Sequence, residues 1–177
     1  MTPDELRQIM PFAKVRVDLY APFLEVAMSE FEIDSPTRQA AFIAQIAHES
    51  GELRYVLELA TGQAYEGRKD LGNHEPGDGV KYKGRGLIQI TGRNNYRDCG
   101  DALLLPLLDQ PDLLEQPGPA CRSAGWFWQS RGLNELADLE DFLSISVRIN
   151  GRNRNTGLPN GWHERLKYWD RAKRVMN

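Results

Sequence analysis

The triplet Ser35-Pro36-Thr37 opens the segment that most restricts how this chain can fold. A hydroxyl residue followed by proline marks a helix N-terminus, because the hydroxyl accepts an orphaned backbone N–H and proline has none to orphan. Phe42, Ile43 and Ile46 then fall on one side, which predicts a helix running to about His48. Glu49 comes seven positions after Phe42 and three after Ile46, so its carboxyl emerges where the apolar stripe ends. Half-burial in such a place is expected to disfavour the charged form, as a proton donor near neutral pH requires.

Glu58 follows nine residues later. On one continuous helix it would lie about 180° around the axis and roughly 13.5 Å along it, so a pairing of the two carboxylates requires a turn. Gly51 supplies the break. Two carboxyl groups in different surroundings are what acid/base cleavage of a glycosidic bond needs, and an inverting reaction places them only about 6.5–9.5 Å apart. Glu52 and Glu66 compete for the second position, and solvated surface glutamates are the plain alternative.

A second stretch, Gly84-Arg85-Gly86-Leu87-Ile88-Gln89-Ile90-Thr91-Gly92, alternates with period two between glycines and predicts a short strand. Ile88 and Ile90 would face the core. Leu87, Gln89 and Thr91 would share the other face, presenting an amide and a hydroxyl of the kind that meets sugar hydroxyls or a water; an edge strand with a polar outer face reads equally well.

Taken together these motifs resemble glycoside hydrolase family 19, the chitinase-like group that includes many bacteriophage endolysins. The resemblance rests on Ala47-His48-Glu49-Ser50-Gly51, Tyr65-Glu66-Gly67-Arg68, Leu71-Gly72-Asn73, Gly77-Asp78-Gly79, Tyr82, Gly84 to Arg93, Asn95-Tyr96 and Arg148-Ile149-Asn150-Gly151. It implies that Glu49 is the general acid and Glu58 the base, with Thr91 helping to hold the attacking water. It further implies substrate-contacting or water-positioning roles for Gln89, Tyr96 and Asn150, and His48 and Asn95 join the substrate-binding candidates from the same motifs. The chain departs from the family pattern at Glu52 and Arg152, where glycines are usual, and both changes add charge beside the expected cleft.

Length and composition fit one domain spanning 1–177, with a small helical lobe at about 99–119. A net charge of −3 argues against nucleic acid as the partner. Cys99 and Cys121 are too few for a disulfide scaffold, and His48, His74 and His163 show no metal-ligand spacing, so neither metal nor cofactor is expected. No basic-plus-apolar leader precedes the first helix, which predicts a protein held in the host bacterial cytoplasm until release, holin-dependent by resemblance, to the periplasmic wall.

Elsewhere the pattern is helical. Thr2-Pro3-Asp4-Glu5 is a capping box, a second helix spans about Val15 to Phe31, and Leu103–Leu108, Asp112–Glu115, Ala120–Gln129 and Leu139–Ile149 follow, with loops and a small sheet from about Glu66 to Thr91. From Trp162 to Met176, apolar residues at helical spacing sit among Arg165, Lys167, Arg171, Lys173 and Arg174. That segment reads either as a terminal helix docked by its tryptophans or as one making a weak contact with an anionic envelope. The expected fold is mainly α, lysozyme-like, with a small β element and a two-lobed cleft. A monomeric endolysin cutting peptidoglycan glycan strands is the expected function, with a chitinase, and then a non-catalytic glycan-binding protein, as alternatives.

Overall fold

The structure, a computed structural model, describes residues 1–176; Asn177 lies outside them. Among the described residues the chain is mainly helical: α1 (Pro3–Ile9), α2 (Arg16–Glu30), α3 (Pro36–Glu49), α4 (Asp78–Lys81), α5 (Arg93–Leu103), α6 (Pro117–Ser130), α7 (Leu133–Asp138), α8 (Phe142–Asn150) and α9 (Trp162–Met176). Single 3₁₀ turns stand at Gln63–Tyr65, Lys69–Leu71 and Pro111–Glu115.

Capping chemistry sets the helix starts. Thr2 Oγ1 accepts the Glu5 N–H at 3.2 Å while Glu5 Oε2 accepts the Thr2 N–H at 2.6 Å, a complete capping box. Ser35 Oγ accepts the Arg38 N–H at 3.2 Å, and α3 runs from there to Glu49.

α3 is the axis of the fold. Every residue from Ala40 to Ala47 is buried, and the helix packs along α9 on one side and touches α7 on another. Phe42 meets the edge of Trp128 at 5.3 Å between ring centroids. Trp128 is fully buried, and its indole N–H donates to Asn134 Oδ1 at 2.8 Å, while Asn134 Nδ2 donates to the Phe31 carbonyl at 3.1 Å. This one amide, on α7, satisfies a side chain of α6 and the carbonyl of the residue that caps the end of α2. α9 is docked by its aromatic residues, because Trp169 stacks on Phe142 of α8 at 4.5 Å with Trp162 beside it, and Lys173 Nζ caps the Trp169 ring at 3.7 Å.

Three expected elements are different. In place of a strand, residues 86–89 form a tight turn between Arg85 and Ile90, which pair in an isolated bridge, and Arg85 makes a second such bridge with Leu57. Leu87, Ile88 and Ile90 are all buried, which period two cannot deliver, and Gln89 reaches this by adopting a left-handed φ of 59°. No strand longer than those bridges occurs among the described residues, so the small sheet is absent. Leu103–Leu108 is not helical, since α5 ends at Leu103, Leu104 turns left-handed and Pro106 follows. The helix expected over Leu139–Ile149 is α8 alone from Phe142, preceded by α7, with exposed Leu139 in the break between them.

Replacing Asn134 with Ala strands the Trp128 indole N–H and the Phe31 carbonyl in the core. Unfolding free energy, read by denaturant titration, should fall by about 2–3 kcal/mol; a change within about 0.5 kcal/mol would show that the amide holds nothing together.

Candidate active site

Glu49 is the last residue of α3, and Ser50 closes the helix by donating its hydroxyl to the Ile46 carbonyl at 2.6 Å and accepting the Leu53 N–H at 2.8 Å. The chain then reverses through three consecutive left-handed residues, Gly51, Glu52 and Leu53, with φ of 57°, 58° and 63°. Glycine takes this conformation freely, whereas Glu52 and Leu53 must be held in it by their surroundings. Leu53 is packed into the core at 1% exposure. Glu52 is tied at both oxygens, Oε2 accepting the Phe12 N–H at 2.5 Å and Oε1 the Tyr168 hydroxyl at 2.8 Å. Its buried carboxylate braces the turn, which removes it as a competing second carboxylate of a cleft.

The side chain of Glu49, expected half-buried where the apolar stripe ends, is largely buried there and set against a cation. Arg165 Nη2 lies 2.5 Å from Glu49 Oε1, with the arginine side chain 1% exposed and the glutamate 16%. Arg165 spends its other donors on the Asn160 carbonyl, at 2.9 Å from Nε, and on Gln45 Oε1 from Nη1. Gln45 in turn donates to Ser146 Oγ at 2.7 Å, and Ser146 to the Phe142 carbonyl at 2.8 Å. In the sequence Arg165 counts among the cations available for an anionic envelope and not among the site residues; it is buried at 0% exposure and cannot make that contact. Its signal is a charge in the middle of an apolar helical stripe, three residues after Trp162 and four before Trp169, a position where an arginine needs a buried partner.

Glu58 sits on the loop that follows, pinned by backbone. Its N–H donates to the Gly84 carbonyl and its Oε2 accepts the Gly84 N–H, both at 2.9 Å, while Oε1 accepts the Tyr65 hydroxyl at 2.9 Å. Gly84 is the meeting point. A Cβ there would stand 2.6 Å from Gln89 Oε1 and 3.1 Å from Glu58 Oε2, so the Gln89 amide oxygen and the Glu58 carboxylate converge over a residue with no side chain. Gln89 is oriented by donating Nε2 to the Gly86 carbonyl at 3.0 Å; Thr91 donates its hydroxyl to the Gln89 carbonyl at 2.9 Å, and Asn95 Nδ2 donates to the Thr91 carbonyl at 2.7 Å. Thr91 and Asn95 are therefore half-buried supports of the Gln89 turn.

The remaining candidates lie elsewhere. Tyr96 is in the core at 0% exposure, donating to the Lys83 carbonyl at 2.7 Å and accepting from Arg85 at 3.1 Å, and burial pushes its phenol well above the ordinary range. It anchors the residues on both sides of Gly84, Lys83 by its backbone carbonyl and Arg85 by its guanidinium. Asn150 is exposed at the end of α8, with Oδ1 accepting the Asn160 N–H at 3.0 Å. His48 turns away from Glu58's loop toward Gly161 and Glu164; its Nδ1 is 2.8 Å from Glu164 Oε2, a close approach whose angle does not make it a hydrogen bond. Glu66, the other competing carboxylate, is occupied by the Gly77 and Gly79 N–H groups at 2.6 and 2.9 Å. Cys99 and Cys121 are buried free thiols, Cys99 being pushed up to about 12 by desolvation. No group of three or more metal-ligating side chains gathers among the described residues.

This architecture, a central helix ending in a carboxylate and a second carboxylate fixed on a backbone loop, is that of the lysozyme-like, mainly α-helical glycoside hydrolases. The family model for glycoside hydrolase family 19, described as chitinase class I, matches residues 32–137. An endochitinase of Arabidopsis thaliana is 37% identical over 131 residues, covering 73% of this chain and 45% of that protein. A glycosyl hydrolase family 19 domain-containing protein of Haemophilus influenzae is 31% identical over 163 residues, covering 75% and 76%. Chitinase C from Streptomyces griseus superposes with a TM-score of 0.82 at 25% identity, over 99% of this chain and 76% of that one. A bacterial family 19 chitinase superposes at 0.83 over 99% and 94%, and at 24% identity it speaks to the fold alone. The chain spans about half the length of the plant endochitinases it matches. It belongs to glycoside hydrolase family 19.

Burial, and next the Arg165 charge, hold the His48 imidazole below its ordinary range. The unfolded chain therefore takes up this proton first as pH falls through about 6.5, so the stability that neutral His48 contributes is complete above that pH and lost below it. The melting temperature should drop from pH 7.5 to 5.5 by more in the wild type than in His48→Asn; equal slopes would remove the assignment.

Proposed function

We propose that this chain is an endolysin, cutting the β-1,4 bonds of peptidoglycan glycan strands with inversion at the anomeric carbon. The observation that carries the catalytic part is the contrast between the two carboxylates. Glu49 is fixed by a buried cation at Oε1, with no hydrogen bond to Oε2 among the described residues, and it serves as proton donor to the glycosidic oxygen through Oε2. Glu58, held by a phenol and a backbone N–H, serves as the base that activates water on the opposite face of the sugar. The Gln89 amide, converging with Glu58 over Gly84, orients that water, and Thr91 acts through Gln89.

Peptidoglycan and chitin share a β-1,4-linked N-acetylated hexosamine repeat, but only the former carries carboxylates. The cations Arg148, Arg152, Arg154 and Lys167 near the junction of α8 and α9 favour an anionic polymer. The family motifs are common to chitinases and endolysins; in the endolysin reading the protein waits in the host cytoplasm for release to the wall. Chitin is the second reading, favoured by the names of the relatives, which are endochitinases.

Turbidity loss of outer-membrane-permeabilised Gram-negative cells, and release of reducing ends from purified peptidoglycan and colloidal chitin, decide between them. Lysis by the wild type with a loss of on the order of 10²–10⁴-fold in Glu49→Gln and Glu58→Gln supports the proposal; cleavage of chitin alone transfers the mechanism to a chitinase. Proton NMR of the first-formed product should show the inverted anomer, and a retained anomer sinks the assignment of Glu58 as base. Gly84→Ala, which forces the Gln89 amide and Glu58 apart, should lower kcat by about tenfold to a hundredfold; an unchanged kcat would show that their convergence plays no part.

A further inference from the structure

Between the loop 153–160 and the first turns of α9 lies a cavity of about 490 Å³, walled by Asn153, Thr156, Asn160, Trp162, His163 and Lys167 among others. Its volume falls within the range of small-ligand sites, and it holds none of the residues assigned above to acid or base. The walls combine two carboxamides, a hydroxyl, an indole face and an ammonium group. Asn153 Nδ2 donates to Asn160 Oδ1 at 3.2 Å and orients it. Asn160 Nδ2 and the Thr156 hydroxyl proton then suit the acetamido carbonyl and ring hydroxyls of an amino sugar, the indole suits its apolar face, and the ammonium suits a carboxylate. Lys167 is exposed, and the acid in the same wall, Glu164, lies against His48 Nδ1 rather than across the cavity.

Asn160 also connects this cavity to the catalytic pair. Its N–H is held by Asn150 Oδ1 at 3.0 Å, and its carbonyl accepts from Arg165, whose guanidinium binds Glu49. A ligand that presses on the Asn160 wall therefore bears directly on the group that positions the acid. The loop itself is organised for this: Asn153 Oδ1 accepts the Asn155 and Thr156 N–H groups at 2.9 and 3.4 Å, and Arg152 clasps the Gly157 carbonyl at 2.7 Å. The arginine that stands where the family usually has glycine is thus part of the frame of the cavity.

We propose that this cavity is a subsite for the carboxylate-bearing substituent of an N-acetylmuramic acid residue, with Lys167 as its charge partner. The proposal rests on the reading of the chain as a wall hydrolase and names the feature by which it selects wall glycan over chitin. Muramyl dipeptide, which has no glycosidic bond to cut, is the probe. Titrated into the ¹⁵N-labelled wild type, it should shift the backbone amides of residues 153–163, and Lys167→Gln should weaken binding by about fivefold, the worth of one partly exposed ion pair. Lys167→Gln should also lower the ratio of peptidoglycan to chitin-oligomer hydrolysis by about the same factor. Shifts outside this segment only, equal shifts with N-acetylglucosamine, or an unchanged ratio overturn the proposal. A wild type that binds the dipeptide here but cuts chitin alone overturns the wall-hydrolase reading and leaves the subsite standing.

Discussion

A buried guanidinium fixes the geometry on which the rest of this molecule depends. Arg165, on α9, reaches through the core to α3 at Gln45 and Glu49, and back to the carbonyl of Asn160 at the mouth of its own helix. An arginine with 1% of its side chain exposed is stable there only because each of its three nitrogens has an acceptor and the charge has a counter-charge. The requirement runs in both directions. α9 is docked by Trp162 and Trp169 on Phe142, and that docking aims the guanidinium; the guanidinium in turn fixes one oxygen of Glu49 at the end of the most buried helix in the fold.

The second carboxylate is positioned by a different means. Glu58 belongs to a loop with no helix or strand to hold it, and its place is set by exchange of hydrogen bonds with the backbone of Gly84, which is itself clasped through Lys83 and Arg85 by the buried phenol of Tyr96. Between the two carboxylates the chain passes through three left-handed residues, and the strain at Glu52 and Leu53 is held by a buried carboxylate with two partners and by a core leucine. A rigid helix end carries one carboxylate, and a loop braced by Gly84 and Tyr65 carries the other.

Local chemistry made much of this legible in advance. Caps at Thr2 and Ser35 located α1 and α3, and the spacing of Trp162, Leu166 and Trp169 located α9, because these signals depend on residues within a turn or two of one another. The motif around Glu49 and the glycines around Gln89 placed the chain in its family. What escaped depends on distance in sequence. The run Leu87–Thr91 alternates like a strand, yet no neighbouring chain offers it a ladder, and the core takes Leu87, Ile88 and Ile90 together by turning Gln89 left-handed. Tyr96 read as a sugar contact because its motif lies beside Thr91, but one helical turn carries it into the core. Arg165 stands 116 residues from Glu49 in sequence, and no local pattern announces such a pairing.

The most direct test of the central role of Arg165 is a double-mutant cycle in unfolding free energy between Arg165→Met and Glu49→Gln. If the buried pair organises the site, Arg165→Met should cost about 3–5 kcal/mol in the wild type and clearly less once Glu49 is already neutral, leaving a coupling of about 1–3 kcal/mol. Two costs that add to within about 0.5 kcal/mol would mean that the arginine and the carboxylate are neighbours without being partners, and the account would have to find another anchor for Glu49.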